Sequence, residues 1–416
     1  MENYYVPTKF HLYLKKLSNY RKTKVRLQPL SKSSFNAGGD VITFELPGAI
    51  IDPSSFSVYM KASATTTGDG TVALPANVES LFNRYAVYVG GSVVNPSFQN
   101  ANLLFTGLYG LKAGEDVNKS ARSVVHNSQP AAIATTAHAS NTNIPLILNQ
   151  IPGILSVPHY LDCSLLGGIR IEITTERGNV CAGNSNNASF VLNDVHAYVD
   201  CIELTDDLKM VYDQAVLAKM KNGGISFGFK NYYSFVESVG TMAGSIKFSV
   251  ASQSVNKIIV IPRASTYATV DNHSGAAGYL QSKYLSSRKS DLSEYYFQIA
   301  GRQQPSFNVK ADSAAYLFSL EALGLQHDVA SGNLCTSKTV YETLRYAIVH
   351  SLEYVGDDKL DRAVCGLDSR GAPNMYLTMI PTGDATGAAT QNEVNIFVET
   401  TATLKVLAPG VVQVEA

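Results

Sequence analysis

The segment PSFQNANLLFTGLYGL (residues 96–111) returns later in the chain as PSFNVKADSAAYLFSLEALGL (residues 305–325). Both segments begin with Pro-Ser-Phe, contain a Leu-Phe pair and end in Gly-Leu, and each follows an apolar stretch that ends in glycine. The two copies start about 210 positions apart in a chain of 416 residues. This spacing predicts two lobes of similar structure, each with the size of an ordinary domain.

Short segments of alternating apolar and polar residues surround both copies. In VITFELP (residues 41–47), Ile42, Phe44 and Leu46 fall on one face of an extended chain and the intervening residues on the other. About eight such segments precede residue 205, and the second half repeats the pattern. Many short strands without interleaved long helices favour antiparallel sandwiches over a parallel sheet. We therefore predict an all-β protein with two tandem eight-stranded antiparallel sandwiches and a few short helices.

One helix is predicted between the two halves. Thr205 is a suitable capping residue, two acids follow it in the first turn, and Gly223-Gly224 ends the pattern. We interpret this helix as a rigid connector between the lobes. The predicted division is a basic N-terminal arm at residues 1–30, a first sandwich at 31–205, the connector helix at 206–223 and a second sandwich at 224–416.

A further helix is predicted in the second half. The sequence Thr339-x-x-Glu342 is a capping box, and an apolar stripe continues from it to Leu352. Long polar stretches, residues 113–143 among them, separate the strands and are expected to be surface loops.

Basic residues are concentrated at the N-terminus. Residues 1–30 have seven basic residues and one acid, a net charge of +6, although the whole chain has a net charge of −1. A basic arm before a mildly acidic body is typical of a segment that binds nucleic acid or an anionic membrane surface. A solvated leader, or an arm that wraps a neighbouring molecule, fits the same pattern. The candidate residues of this membrane- or genome-facing arm are Lys9, Lys15, Lys16, Arg21, Lys22, Lys24 and Arg26.

The composition indicates a large core and little surface charge. Hydrophobic residues make up 45% of the chain and charged residues 16%, so part of the surface is either covered by other copies or rich in Ser, Thr and Asn. The five cysteines include no C-x-x-C pair, which favours reduced, buried thiols over a disulfide framework. No signal-peptide core and no apolar run of about 18 residues is present, so we expect neither secretion nor a membrane span.

The sequence carries no recognisable catalytic, metal or nucleotide motif. The eight histidines lack H-x-x-H and H-E-x-x-H spacing, and G-x-S-x-G, the phosphate-binding loop and G-x-G-x-x-G are missing. His327-Asp328 and Asp357-Asp358 could act in acid–base chemistry or bind Ca²⁺, but adjacent acids are more typical of solvated turns. We predict no enzyme activity, no cofactor and no metal.

Four phrases carry a resemblance to a known family. They are VITFELPGAIIDPSSFSVYMK (residues 41–61), ESLFNRYAVYVGGSVV (79–94), IPGILSVPHYLDCSLLGGIRIEI (151–173) and FVETTATLKVLAPGVVQV (397–414). With them the chain resembles the double jelly-roll major capsid proteins of double-stranded DNA viruses. This lineage includes adenovirus hexon and the capsid proteins of membrane-containing tailless phages, virophages and giant DNA viruses.

The resemblance implies a structural role in a virion. It implies two tandem jelly rolls, a homotrimeric capsomer with six similar lobes and a near-hexagonal outline, and an icosahedral capsid. The implied partners are neighbouring capsomers, minor capsid or penton proteins, and an internal membrane or genome beneath the N-terminal arm. Assembly is expected in the host cytoplasm or nucleus, without secretion. The family has no catalytic motif that could be carried over.

Two other functions fit the same strand pattern. A minor capsid or spike protein could bind host glycans through the long loops. A glycan-processing hydrolase with two jelly rolls would need acidic residues that converge in a cleft between the sandwiches. Glu172, Asp194 and Glu203 lie on predicted strands and are the candidates, but their spacing gives no reason for them to meet.

Overall fold

The structure, a computed structural model, describes most of the chain. The described residues are 20–66, 72–75, 77–95, 98–112, 143–149, 151–157, 159–183, 188–221, 223–240, 242–265, 283–325, 341–343, 345–353, 365–382 and 392–415. Strands dominate these residues, and the named pairings between them are antiparallel.

The first lobe contains two main sheets. Its strands are β1 (Tyr20–Leu27), β2 (Phe35–Asn36), β3 (Val41–Glu45), β4 (Ile50–Thr66), β5 (Val72–Ala73), β6 (Phe82–Val89), β7 (Ser92–Val93), β8 (Ile144–Leu148), β9 (Leu161–Asp162), β10 (Ile169–Thr175), β11 (Ala182–Gly183) and β12 (Ala188–Leu204). One sheet has the order β1-β12-β4-β8, with β2 on β12 and β9 on β4, and the other has the order β3-β10-β6-β7. Strands β5 and β11 form a separate pair.

The second lobe has the same arrangement. Its strands are β13 (Ile225–Val239), β14 (Gly244–Ser249), β15 (Val255–Ala264), β16 (Leu292–Ile299), β17 (Arg302–Lys310), β18 (Ile348–Ser351), β19 (Asn374–Pro381), β20 (Asn392–Ala408) and β21 (Val411–Glu415). The sheets have the orders β13-β20-β15-β18, with β21 on β20, and β14-β19-β16-β17.

The two lobes have one topology. When the eight main strands of each lobe are counted along the chain, both lobes have sheets in the orders 1-8-3-6 and 2-7-4-5. Two facing four-stranded sheets in these orders make a jelly roll. The predicted all-β class and the two tandem eight-stranded sandwiches are therefore confirmed.

The core of each lobe follows from the alternation of its strands. Ile42 and Phe44 on β3 are fully buried, as the pattern in VITFELP predicts. Val58 and Met60 on β4, in the opposite sheet of the first lobe, are also fully buried. Each such side chain stabilises the lobe by roughly 1.5–3 kcal/mol through the removal of apolar surface from water. Burial on the inner faces thus holds the two sheets together.

The repeated segment has an equivalent place in both lobes. In the first lobe it follows β6 and β7 and continues into helix α1 (Ala101–Lys112). Pro96 and Ser97 lie outside the described residues. In the second lobe the Pro-Ser-Phe residues lie within β17, and helix α3 (Ser313–Ala322) follows. Each copy therefore joins the hairpin of the fourth and fifth strands to a helix at the end of the lobe.

Helix α2 (Asp206–Lys221) lies between the lobes, where the connector was predicted. It ends because Gly224 has a φ of +96° and its Cα approaches β20 so closely that a Cβ would lie 2.6 Å from the carbonyl oxygen of Val406. Only glycine fits such a position. None of the helices within the described residues combines the length and apolarity needed to cross a bilayer.

The prediction of a helix that continues to Leu352 is wrong. Thr339 lies outside the described residues, residues 341–343 have helical backbone, and Ile348–Ser351 form β18, which pairs with β15. Ile348 and Val349 are both almost fully buried. A strand buried on both faces has no alternation, so its apolar run resembles one stripe of a helix.

The basic arm also ends earlier than expected. Residues 20–27 form β1, which pairs with β12 along its whole length, from Tyr20 opposite Leu204 to Leu27 opposite Ala197. Val25 and Leu27 pack against the hydrophobic core. The first sandwich therefore begins at Tyr20 and not at residue 31. The strand carries a high proportion of charged residues, because only alternate residues of an edge strand need to be apolar.

We expect removal of β1 to destabilise the first lobe. A chain that starts at Leu27 should melt about 5 °C or more below a chain that starts at Tyr20, because it loses the pairing with β12 and the burial of Val25. Differential scanning calorimetry of the two truncated chains measures the difference. Equal melting temperatures would show that β1 contributes nothing to the fold.

Candidate assembly surfaces: the lobe junction and its open counterpart

Three aromatic side chains form a cluster at the end of the first lobe. Tyr85 on β6 lies 6.4 Å from Phe98 and 6.1 Å from Phe105 on α1, between ring centroids. Phe98, the last residue of the first Pro-Ser-Phe, is 6.5 Å from Phe105 and only 1% exposed. We name Tyr85, Phe98 and Phe105 the first aromatic cluster.

The second lobe covers this cluster. Tyr232 on β13 lies against Phe98, with ring centroids 5.3 Å apart. Helix α1 approaches β15 so closely that a Cβ on Gly107 would lie 2.6 Å from Cδ1 of Ile261. The Nδ2 of Asn100 donates to Oδ1 of Asn395 on β20 at 3.2 Å. These contacts define the lobe junction, in which the end of the first lobe packs against the outer face of the β13-β20-β15-β18 sheet.

The junction buries a face of this sheet that would otherwise be exposed. Ile258 and Val260 on β15 are buried in the core of the second lobe, yet the alternate residues Ile259 and Ile261 are also at most 2% exposed. Phe397 on β20 is equally buried. A strand that is apolar on both faces requires a cover on both faces, and α1 contributes the second cover.

A buried carboxylate links the lobes next to the aromatic residues. The Oε2 atom of Glu176 accepts hydrogen bonds from Nδ2 of Asn83 at 2.7 Å, Nδ2 of Asn102 at 3.1 Å and the hydroxyl of Tyr284 at 3.1 Å. Tyr284 belongs to the second lobe. Burial and the neighbouring Glu176 raise the pKa of Tyr284 to about 12, so its hydroxyl remains a donor at neutral pH. The hydrogen-bond donors compensate for the desolvation of Glu176.

A polar cavity of about 240 Å³ lies beside this network. It is lined by Asn83, Glu176, Arg177, Asn179, Arg263 and Tyr284. The guanidinium of Arg263 is engaged, because it donates from Nε and Nη2 to Oε1 of Glu393 at 2.8 and 2.6 Å. The acids at the cavity and its edge, Glu176 and Glu393, thus already have partners from the protein.

The acids predicted for a hydrolytic cleft do not converge. Glu172 lies on β10 of one sheet and accepts from the hydroxyl of Tyr88 at 3.1 Å. Asp194 and Glu203 lie on β12 of the other sheet. These two residues lie nine positions apart along the extended strand, which places their Cα atoms about 30 Å apart. The structure therefore brings no pair of the three candidates together.

The second lobe contains an equivalent aromatic cluster. Tyr295 on β16 and Tyr85 on β6 each lie six residues before the glycine that ends the hairpin turn, and Phe307 and Phe98 each end a Pro-Ser-Phe. Phe318 on α3 belongs to the repeated Leu-Phe pair and lies 6.1 Å from Phe307. We name Tyr295, Phe307 and Phe318 the second aromatic cluster.

The second aromatic cluster has no cover within the described residues. Its three rings line an open pocket of about 310 Å³, together with Pro305, Val309, Glu321, Ala322, Val349, His350 and Ser351. Phe307 is 53% exposed and Leu317 on α3 is 45% exposed, whereas Phe98 is 1% exposed. Among the described residues, Phe307 is therefore open to solvent whereas Phe98 is covered by the second lobe, although Tyr85 and Tyr295 are both buried.

His350 lies at the inner side of this pocket as a neutral residue. Its ring stacks on Phe297 at 5.1 Å, and its Nε2 is buried without a hydrogen-bond partner in the part of the chain that the structure describes. Burial lowers the pKa of His350 to about 4. The pocket therefore carries no positive charge from this residue at neutral pH.

The predicted arm residues separate into two groups. Lys22, Lys24 and Arg26 lie on the outer face of β1, where Lys22 contacts Asp52 at 2.8 Å and Lys24 contacts Asp200 at 3.1 Å. Arg26 lies 3.6 Å from Asp194, and Arg21 is opposite Glu203 in the β1-β12 register. Lys9, Lys15 and Lys16 lie outside the described residues.

The ion pairs on β1 change the charge that is available there. Burial raises the pKa of Asp52 and Asp200, but hydrogen bonds from Lys22, Lys24 and Ser54 outweigh this effect, so both pKa values are lowered. The same contacts raise the pKa of Lys22. Because these lysines already neutralise acids of their own sheet, they contribute less to the binding of an external anion than the sequence suggests.

The remaining candidate residues form no catalytic or metal site in the part of the chain that the structure describes. His327-Asp328, Asp357-Asp358 and Cys335 lie outside the described residues. Cys163 and Cys181 are buried free thiols, and burial raises the pKa of each to about 12. Cys201 and Cys365 are also free. In the described ranges, no three His, Cys, Asp or Glu side chains are grouped closely enough to hold a metal ion.

Sequence patterns missed the junction residues of the second lobe. Tyr232 and Tyr233 are adjacent in the phrase NYYSFV, and one points toward the first lobe while the other contributes to its own core. The one local signal is that apolar residues occupy both faces of β15 and of β13 near this point. That signal indicates a covered outer face, but it does not identify the covering element.

We expect the two Pro-Ser-Phe phenylalanines to differ in their contribution to stability. In dilute protein, Phe98→Ala should lower the free energy of unfolding by about 3–5 kcal/mol, because it removes a buried ring from the junction. The matched variant Phe307→Ala should change it by less than about 1 kcal/mol, because that ring is half exposed. Urea denaturation measures both values. Similar losses for the two variants would contradict this view of the junction.

Comparisons with known proteins find relatives by structure only. No protein-family model and no curated protein matches the sequence. The Faustovirus major capsid protein superimposes with a TM-score of 0.61 at 10% identity, over 96% of this chain and 93% of that chain. A chain of the PBCV-1 virus capsid gives a TM-score of 0.59 at 11% identity, over 98% of this chain and 100% of that chain.

A chain of the Sputnik virophage structure gives a TM-score of 0.54 at 10% identity, over 99% of this chain and 92% of that chain. In all three cases the likeness extends over both lobes. Identities this low establish the fold. The chain has, over nearly its whole length, the double jelly-roll fold of the Faustovirus major capsid protein and of the PBCV-1 capsid.

Proposed function

We propose that the chain is a structural protein of a virion, the major capsid protein of an icosahedral double-stranded DNA virus. The observation that carries this proposal is the pair of jelly rolls with one topology, packed side by side in one chain. Three such chains around a threefold axis present six similar lobes, which fill a near-hexagonal outline. The capsid proteins with the same fold support this function.

The proposed assembly is a homotrimer that acts as a capsomer. A closed ring of identical chains uses heterologous contacts, in which one surface of a chain meets a different surface of the next. In the described part of the chain, the second lobe leaves Phe307 and Leu317 half exposed beside an open pocket, which supports a contact of this kind. Neighbouring capsomers and minor capsid or penton proteins are the further partners of this proposal.

A role without catalysis is part of the proposal. It is supported by the engagement of Glu176 and Glu393 with protein partners and by the separation of Glu172 from Asp194 and Glu203. The glycan-binding alternative depends on long loops such as 113–142, which lie outside the described residues, and no contact in the structure favours it.

We expect purified protein to have the mass of a trimer. Light scattering after size-exclusion chromatography measures that mass, and negative-stain microscopy should show compact particles with a hexagonal outline. A monomer at micromolar concentration, or an elongated open assembly, would contradict the proposal. The half-exposed Phe307 and Leu317 are the physical reason to expect association, because they leave apolar surface in water.

The N-terminal segment is proposed to contact an anionic partner beneath the shell, a membrane or the genome. Because Lys22, Lys24 and Arg26 are held by acids on the sheet, this role depends mainly on Lys9, Lys15 and Lys16. Their attraction to phosphate groups is electrostatic and weakens with salt.

We expect Lys9→Ala, Lys15→Ala and Lys16→Ala together to leave the trimer intact and to reduce binding to phosphatidylserine vesicles or to double-stranded DNA. Co-sedimentation at low and high salt measures the binding to each. The control is Lys22→Ala with Lys24→Ala, which should retain most of the binding. Equal losses for the two variants would show that the sheet lysines contribute as much to binding as the N-terminal segment, against the proposal.

A further inference from the structure

We infer that helix α2 binds α2 of a second copy of this chain, antiparallel and across a twofold axis that passes beside Gln214. This contact goes beyond the proposed function, because a twofold contact joins two chains and cannot close a ring of three. It would link a chain of one capsomer to a chain of the next, or two free chains to each other.

Helix α2 is attached to the molecule along a single line of side chains. Its half-buried residues recur every four positions, and none of its residues is fully buried: Leu208, Tyr212, Val216 and Met220. Val216 and Met220 pack against the hydrophobic core, and the hydroxyl of Tyr212 donates to Oδ2 of Asp162 at 3.4 Å. The helix therefore lies on the surface and presents the rest of its circumference to solvent.

The opposite side of α2 is apolar at its centre, although it is exposed. Met210, Val211 and Leu217 are 63%, 62% and 57% exposed. Since successive residues lie about 100° apart around a helix, one exposed face centred on Gln214 points directly away from the half-buried line. We name its seven residues the outer stripe: Asp207, Met210, Val211, Gln214, Leu217, Ala218 and Lys221. A surface helix normally keeps one apolar stripe, for the core, so this second one indicates a contact with another molecule.

The two ends of the outer stripe carry opposite charges. Asp207 lies seven residues before Gln214 and Lys221 lies seven residues after it, so the three residues share one line along the helix. More generally, acids occupy the first turn of α2 and lysines the last turn. These charges stabilise the helix through its dipole. They also make the outer stripe complementary to itself when a second copy runs in the opposite direction.

The charges select the direction of the pair. In an antiparallel pair centred on Gln214, Asp207 of each copy meets Lys221 of the other, about 10 Å from the axis at both ends. A parallel pair would instead place like charges together at both ends. The two Gln214 carboxamides meet at the twofold axis, where each can both donate and accept a hydrogen bond. A polar residue at the centre of a helix pair also fixes its register.

The apolar residues of the outer stripe are complementary in the same register. On one side of the central line, Met210 of each copy lies opposite Leu217 of the other. On the other side, Val211 lies opposite the small Ala218. Both pairs remove apolar surface from water that the single chain leaves exposed. One register thus matches both the charged ends and the apolar centre.

The charge of α2 favours a second copy of the chain over a membrane surface. The net charge of the helix is zero, from three acids and three lysines: Asp206, Asp207, Asp213, Lys209, Lys219 and Lys221. A helix that lies on an anionic membrane normally has a strongly basic polar face. The separation of acids and lysines to opposite ends instead matches a helix of the same sequence.

The contact should be weak between free chains. Seven residues of each copy take part, whereas a stable protein interface involves roughly 20–30 residues a side. It becomes stronger when both partners are held in larger assemblies, since the contact then forms at a high effective concentration. Covalent trapping is therefore the suitable test.

Disulfide trapping at the axis tests the pairing. In the full chain, Gln214→Cys places a thiol where two helices about 8–10 Å apart bring their Cα atoms within disulfide range, roughly 4.4–6.8 Å. Under mild oxidation we expect a covalent dimer above the wild-type background from the native cysteines, measured by non-reducing electrophoresis. The matched control is Ala215→Cys, an exposed position that points about 100° away around the helix. It should give roughly tenfold less dimer. Equal yields for the two variants, or no dimer above background, would overturn the inference.

Two further single cysteines test the direction of the pair. Chains with Asp207→Cys and chains with Lys221→Cys should each give little dimer alone. A mixture of them should link one chain of each kind, because antiparallel pairing brings these two positions together. Mass spectrometry of the linked peptides identifies the product. Links between two Asp207→Cys chains would show parallel pairing and contradict the proposed geometry.

Charge reversal tests the complementarity of the ends. With Gln214→Cys present in both, Asp207→Lys chains and Lys221→Asp chains should each trap roughly threefold less dimer alone, because like charges meet at both ends. A mixture should regain the yield as mixed dimers, because a lysine then faces an aspartate at both ends. High salt should reduce the difference. If the mixture traps no more than either variant alone while both keep the wild-type melting temperature, the charges play no part and the inference fails.

The outcomes distinguish this contact from the proposed function. Trimers that show no trapping with Gln214→Cys would refute the α2 contact alone. Trapping with Gln214→Cys in a protein that does not form trimers would support the α2 contact and refute the proposed function.

Discussion

The large sheet of the second lobe is apolar on both faces, and this constraint organises the molecule. Its inner face is covered by the opposite sheet of the same jelly roll, but Ile259, Ile261 and Phe397 on the outer face need a cover from elsewhere. Helix α1 and Phe98 of the first lobe contribute it, and Gly107 permits the close approach. This contact fixes the relative placement of the two lobes together with the hydrogen bond from Tyr284 to Glu176 and the one from the Gly410 amide to the Leu165 carbonyl.

The polar groups of the junction restrict the relative orientation of the two lobes. Glu176 accepts donors from both lobes, and Arg263 pairs with Glu393 at the edge of the same cavity. Burial of a carboxylate costs free energy unless its lone pairs accept hydrogen bonds. The junction therefore has a low free energy only in the arrangement that places donors of both lobes around Glu176. We regard these acids as structural for that reason: their oxygens are occupied by the protein itself.

The repeat explains why the molecule suits a closed assembly. Both lobes carry aromatic residues of the repeated segment at the same end, but among the described residues Phe98 is covered by the other lobe and Phe307 is half exposed. The lobe junction forms within one chain, whereas the half-exposed Phe307 and Leu317 leave apolar surface in water, which is consistent with the proposed assembly.

The sequence alone determined the strand faces, the two lobes and the connector helix, because alternation, internal repetition and helix termini are local properties of the chain. It placed β1, whose outer residues are charged, in the N-terminal arm, and it assigned β18, whose burial on both faces removes the alternation, to a helix. Only the tertiary structure decided that Phe98 is buried and Phe307 half exposed, since the shared Pro-Ser-Phe motif does not distinguish them. Part of the cover of Phe98 is Tyr232, which lies 134 positions beyond it in the chain. Local patterns show that a residue is apolar, but long-range packing determines which element covers it.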